Sequence, residues 1–200
     1  MVDVDGVIIR SGVGERWDVD LERDLGVKPD ALQRVFFAHY WRGIMLGEAA
    51  IEPGLTQALS QIAPDISVEA LLAYWFARDA DLDFDLLEDL GDYRRRGLKL
   101  HLATTQEHRR AQYLWTTLNL KDRFDGLHYS AALGVAKPDP SFFAAVEART
   151  GFSGEDILLI DDAAANIDAA VAFGWQGLLW SGPAPLKPLI ASPPPPESCS

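Results

Sequence analysis

Cysteine is almost missing from this sequence. The single one, Cys199, sits at the far end of 200 residues, so no disulfide can form within the chain. That fits a reducing compartment. Basic residues are scarce as well: 18 Lys and Arg against 30 Asp and Glu give a formal charge of -12. Phosphate backbones call for clustered Lys and Arg, so no nucleic-acid partner is expected. Anionic membranes are disfavoured for the same reason. A small anionic ligand is not, because a local site can oppose the global sign. No uninterrupted apolar run approaches about 18 residues, so no transmembrane helix is expected. The opening Met1-Val2-Asp3-Val4-Asp5 has neither the basic region nor the apolar core of a secretory signal. The cytoplasm is the default compartment. No repeat with a period of roughly 20 to 50 residues is found.

What is present suits a globular α/β protein. Apolar residues make up 48% of a chain whose length fits one domain with a modest insertion. Short apolar runs at 2–4, 98–103, 126–129, 157–160 and 177–179 read as strands. Helical patterns at 106–118, 140–150 and 163–173 separate the later ones, and Gly151 and Gly174 supply two helix ends. Strands alternating with helices imply parallel β-α-β units with right-handed crossovers. Residues 15–94 carry only helical stripes, far more than a crossover needs. The predicted architecture is a three-layer Rossmann-like parallel sheet core, 1–14 and 95–182, with an inserted all-helical cap at 15–94. Residues 183–200 are proline-rich and expected to be extended and loose. Their Pro185-Leu-Lys-Pro188 has the form of a PxxP ligand, although a frayed tail accounts for it as well.

Four short stretches could carry chemistry. In Asp3-Val4-Asp5-Gly6, strand alternation puts both carboxylates on one side, where their repulsion favours a shared proton or a bridging cation. Thr104-Thr105 closes a strand and opens a helix, the place for a hydroxyl and free N–H groups to hold a phosphate, or simply for a helix cap. Lys137 stands before Pro138-Asp139-Pro140, whose stiff backbone would fix its stem. Asp161-Asp162 end an apolar strand, with Asn166 beyond them, and carboxylates there suit a hard cation such as Mg²⁺.

All four follow strand ends and run in the order Asp-x-Asp, Thr, Lys, Asp-Asp. In this the sequence resembles the haloacid dehalogenase-like hydrolases over about residues 1 to 180, with a helical insertion of the type called a C1 cap. The second acid of the first motif, Asp5, is the phosphatase version of the pattern. The resemblance implies a Mg²⁺-dependent phosphatase of a small phosphate monoester, a sugar phosphate or nucleotide-like metabolite. Asp3 would attack phosphorus to form an aspartyl-phosphate. Asp5 would protonate the leaving alcohol and then activate water. Asp3, the Asp5 carbonyl and Asp162 would bind the metal, with Asp161 nearby or acting through water. Thr104, Thr105 and Lys137 would hold the phosphoryl oxygens. The charges agree: four acids total -4 if ionised, and Mg²⁺ with Lys137 restores +3.

The pattern departs from many relatives at Thr105, where Asn is common, and at Asn166, where some carry an aspartate. Only Met1 and Val2 precede Asp3, so the first strand is trimmed or the natural start lies upstream. Substrate choice should lie in the cap, with Trp17 and Arg42 among the candidates, although each also suits plain packing or surface. The acidic run from Asp79 to Asp89 lacks the glycine of a calcium loop and reads as a solvated helix start. Phosphomutase or 2-haloacid dehalogenase chemistry on the same scaffold, or a weakly catalytic phosphometabolite-binding protein, are the rival readings. Oligomeric state is not readable.

Overall fold

The computed structural model describes residues 1–10, 16–182 and Leu186. The expected tail at 183–200, its proline motif and Cys199 lie outside the described residues apart from Leu186. Leu186 itself is buried, and its N–H donates to Asp89 Oδ2 at 3.0 Å, so the expectation of a loose tail fails at that residue. No helix among the described residues is long and apolar enough to cross a membrane.

The sheet is parallel throughout. Strands β1 (His101–Thr104) and β2 (Gly126–Tyr129) pair with Thr104 opposite Tyr129. Strands β3 (Leu158–Asp161) and β4 (Gln176–Leu179) pair with Asp161 opposite Leu179. The N-terminal segment joins the two halves: Val2 bridges Leu102 on one side and Ile160 on the other. Val2 N–H donates to His101 O and Asp3 N–H to Ile160 O, both at 2.9 Å. The order is β2, β1, N-terminal segment, β3, β4.

The first strand is therefore in its expected central place but ends sooner than expected. The Val4 carbonyl accepts from Val7 N–H at 3.2 Å and Ile9 N–H at 2.9 Å, which makes a turn. Gly6 takes φ +78°, which L side chains resist, and lets the chain turn. Asp5 thus stands on the turn and does not alternate with Asp3 along a strand.

Side-chain alternation splits the sheet into two faces. Leu102 and Ile160 point into one cluster, with Val2, Val4, Leu114 and Phe124. Ala103 and Leu159 point into the other, with Phe142, Phe143, Ile167 and Trp175. The buried members of a third cluster lie between residues 21 and 76 and include Leu21, Phe36, Leu55, Leu72 and Trp75. Its helices are α1 (Leu21–Leu25), α2 (29–45, with a wide turn at Gln33–Phe37), α3 (Ile51–Ile62) and α4 (Val68–Arg78). Ser67 Oγ caps α4 by accepting from Ala70 N–H.

Helix α5 (Phe84–Arg95) corrects the cap boundary drawn at 94. Its Leu86, Leu87, Leu90 and Tyr93 pack on the sheet side, with Leu102 and Ile160. Sequence periodicity shows that a helix has an apolar stripe, not which core receives it. The acidic run before it is not merely solvated: Asp83 is buried, caps α5 through Leu86 N–H, and pairs with Arg10 at 3.3 Å. Arg10 N–H donates to Asp81 O, Asp83 N–H donates to Ile8 O, and Ile9 bridges Leu82 in antiparallel fashion. The chain enters and leaves the helical insertion through this neck.

After β1 comes α6, running 108–117 and ending in a wide turn at Tyr113–Thr117. It starts two residues later than expected, because Glu107 caps it by accepting from the N–H groups of Arg109 and Arg110. Helix α7 (Ser130–Leu133) follows β2 directly. Helix α8 (Pro140–Thr150) ends at Gly151, and α9 (Ala164–Phe173) at Gly174, both glycines left-handed as their sequence positions imply.

Candidate active site

The acids converge where strand ends meet. Asp3 leaves the central segment, and Asp161 and Asp162 end β3 next to it. Oxygens of Asp3, Asp161 and Asp162 lie within 4.8 Å of one another. Asp161 is fully buried, and donors surround its carboxylate: Lys137 Nζ at 2.5 Å, Ala163 N–H at 2.9 Å, and the Asn166 amide at 3.0 and 3.1 Å to its two oxygens. Lys137, equally buried, also reaches Asp3 Oδ1 at 3.1 Å. One ammonium therefore bridges two carboxylates in a site where charges are costly to leave unpaired. Burial pushes the Asp3 carboxyl above its ordinary range, the Lys137 charge pulls it back, and Asp161 pushes it up again.

Asp162 is placed differently. It keeps solvent access, and its carboxylate stands over Gly6. A Cβ on Gly6 would come within 2.0 Å of Asp162 Oδ2. The glycine is thus required twice, by its positive φ and by the close approach of the acid. Desolvation raises the Asp162 carboxyl, and neighbouring Asp161 raises it further. Saturated by donors, Asp161 acts as the anchor of Lys137, while Asp162 faces outward with oxygens to offer. Three hard carboxylates beside a bare glycine turn fit a hard divalent cation.

Asp5 stands on the turn beyond Asp3, open to solvent on its outer side but deep among protein atoms on the other. Desolvation pushes its carboxyl up to about 6, and the Arg110 charge pulls the opposite way. The Gln106 amide donates to Asp5 Oδ2 at 2.5 Å. A carboxyl titrating near neutrality can give up a proton and take one back. Thr104 is buried at the end of β1, and Thr105 follows half-buried. Because Glu107 caps α6, neither threonine is consumed as the helix cap.

The cap candidates fare less well. Trp17 stacks on Trp75 with ring centroids 4.8 Å apart, so a face of its indole is spent on the helical cluster. Arg42 is exposed in the last turn of α2, and no contact among the described residues ties it to the acids. Sequence reading missed Gln106 and Arg110. Arg110 is buried, donates to Phe76 O and Asp79 O, and pairs with Asp79, so it fastens the end of α4 to α6. The only sequence signal for Gln106 is its position two residues beyond the strand-ending threonine.

Comparison with known proteins agrees with this geometry. The pattern of the haloacid dehalogenase-like hydrolases matches residues 1–174. Phosphatase MT3486 of Mycobacterium tuberculosis (strain CDC 1551 / Oshkosh) is 29% identical over 188 residues, covering 88% of this chain and 84% of that protein. A HAD family enzyme of Bacteroides thetaiotaomicron, solved in complex with magnesium and inorganic phosphate, shares the fold with a TM-score of 0.78 at 17% identity, over 95% of this chain and 97% of that one. A predicted HAD-like family hydrolase of Porphyromonas gingivalis gives a TM-score of 0.76 at 17% identity, over 94% and 93% of the two chains. With its acids, lysine and threonine gathered at the strand ends of a parallel sheet, and the family pattern running through them, the chain belongs to the haloacid dehalogenase-like hydrolases.

Proposed function

We propose that this chain is a Mg²⁺-dependent phosphatase that hydrolyses a small phosphate monoester through an aspartyl-phosphate on Asp3. The observation that carries the reading is the placing of Asp5 on the turn beyond Asp3, its Oδ2 held by the Gln106 amide and its carboxyl raised by burial above the ordinary range. A group that exchanges a proton near neutrality is what an alcohol leaving group needs. Displacement of halide, already a stable anion, does not need it. The M. tuberculosis relative is named a phosphatase, and the Bacteroides fold neighbour holds magnesium and phosphate, which supports the same reading.

Asp3 supplies the nucleophilic oxygen. A bond forms from that oxygen to phosphorus as the ester P–O bond breaks, and Asp5 passes its proton to the departing alkoxide. Asp5, now a carboxylate, takes a proton from water as the water oxygen attacks phosphorus. The Asp3–phosphorus bond breaks, and phosphate and the free carboxylate are restored. Lys137 keeps the Asp3 carboxylate oriented and offers positive charge to the phosphoryl oxygens, alongside Thr104 and the backbone at Thr105. Asp3, Asp162 and the Asp5 carbonyl would hold Mg²⁺, with Asp161 beside them. When bound, the cation neutralises the phosphoryl group and draws it towards Asp3. Helices α1 to α4 form the cap that would cover the site and exclude water.

A panel of phosphate monoesters assayed with Mg²⁺, with EDTA, and with Asp3→Asn tests this. Turnover that needs the metal and vanishes in Asp3→Asn is expected. Metal-independent turnover of 2-haloacids, with none of the monoesters, would reverse the assignment.

A further inference from the structure

Gln106 is 5% exposed and sits in the loop between β1 and α6, in no regular element. Its backbone is held on both sides by one residue. Gln106 N–H donates to Ser130 Oγ at 3.0 Å, and the Ser130 hydroxyl donates to Gln106 O at 3.0 Å. Ala131 N–H adds a further bond to Gln106 O at 3.2 Å. The first turn of α7 therefore clamps the residue's main chain, and its side chain has little freedom left. That side chain reaches a partner 101 positions away, donating to Asp5 Oδ2 at 2.5 Å. It is the one side-chain hydrogen bond to the Asp5 carboxyl found among the described residues.

A carboxyl on a turn otherwise rotates about its Cβ–Cγ bond and presents either oxygen. An amide donor fixed to one oxygen stops that rotation and leaves the other oxygen for exchange with the leaving group. Productive proton transfer needs this kind of alignment. The cap abuts the same helix: a Cβ on Gly47 would lie 2.1 Å from Ala131 O. Acid, amide and cap turn are thus all referenced to α7.

Resting on the phosphatase reading, we propose that Gln106 is the positioning residue of the acid: locked by Ser130, it sets which oxygen of Asp5 faces the leaving group. The consequence differs between substrates. Departure of p-nitrophenolate needs little help from a proton, whereas departure of an alkoxide needs it fully. In Gln106→Leu, kcat/KM for an alkyl phosphate should fall about 10²-fold, the lower range for losing a general acid. For p-nitrophenyl phosphate, kcat/KM should stay near wild type, because it reports steps only through formation of the aspartyl-phosphate. Its kcat should fall nevertheless, since Asp5 must still activate water in the second half.

Equal losses of kcat/KM on both esters would show a merely structural role and overturn the proposal, as would no loss on either. Ser130→Ala provides a second variant, which keeps the amide but loosens its anchor. It should show the same discrimination, smaller in size, and its absence there counts against the proposal. An unchanged Mg²⁺-induced thermal shift would show that both variants are folded at the metal site. If the wild-type protein turns over neither ester, the phosphatase reading fails first and this one with it. If wild type and Gln106→Leu turn over both esters alike, only the role of Gln106 fails.

Discussion

Removing Lys137 would leave Asp3 and Asp161 facing each other inside the protein without a cation. The lysine side chain is 1% exposed and that of Asp161 0%. Stripping one partner from a buried charge cluster costs about 3–5 kcal/mol, so Lys137→Met should lose that much in urea unfolding. Saturating Mg²⁺ should recover part of it, because the metal replaces the missing positive charge. A loss below about 1 kcal/mol would mean that Lys137 is not what neutralises the two acids. Position by position, the sequence revealed the ionisable groups well. Asp3, Asp5, Lys137, Asp161 and Asp162 are short polar punctuation after apolar runs, and such punctuation is visible. Gln106 is a neutral amide in an irregular loop, and no periodicity or charge marks it. Its importance exists only once Asp5 and Ser130 have been folded against it.

Elements were legible where local chemistry decides them. Strand β2 and helix α8 lie where sequence places them, because an apolar run or a Pro start and Gly end are local signals. The first strand stopped short because Val4 exchanged its ladder position for a turn, a choice made by Gly6 and the acids around it. A pair of histidines joins β1 to β2. His101 Nδ1 lies 3.0 Å from His128 Nε2, and the rings stack at 18°. Burial pushes His128 down to about 4 and lowers His101 as well. The groups facing the pair are the N-terminal amine, Arg149 and Lys99, which disfavour a further charge, and Asp125, which favours it. With the folded values below the unfolded ones, the unfolded chain binds protons first as pH falls. The pair's contribution is therefore full above about 6.5, the unfolded value, and drains away as pH drops towards 4. The acids Asp3, Asp5 and Asp162, raised in the fold, act in the opposite sense, so the histidines are read by difference: in urea unfolding, wild type should lose stability relative to His128→Asn between pH 7 and 4.5. A slope unchanged by the substitution would exclude the histidines as its source.

At the scale of the molecule, three hydrophobic clusters organise the described residues, two on the faces of the sheet and one among the inserted helices. The sequence announced an α/β core with a helical insertion, since the change from alternating to purely helical patterning is a long-range signal. It misplaced α5, whose stripe fits either core equally well until the chain path is known. The charge of -12 also acts at this scale, because several of its acids crowd one site. A cation bound there stabilises only the folded state. At Mg²⁺ near 100 times its dissociation constant, unfolding free energy should rise by about 2.7 kcal/mol. Asp162→Ala should abolish most of that gain while leaving stability without metal almost unchanged, since Asp162 is exposed. Thermal unfolding with Mg²⁺ and with EDTA measures both, and an equal gain in the variant would move the metal away from Asp162.

The neck at Arg10 and Asp81 carries a last consequence. Because the two crossings lie side by side, joined at 2.9 Å, the sheet sees the insertion as a loop with nearly coincident ends. Such a loop can be lengthened, shortened or exchanged without changing the path of any strand. The sheet that carries the acids and the helices inserted through the neck are therefore free to vary separately. Selection can edit those helices while the strand ends that hold the acids stay fixed.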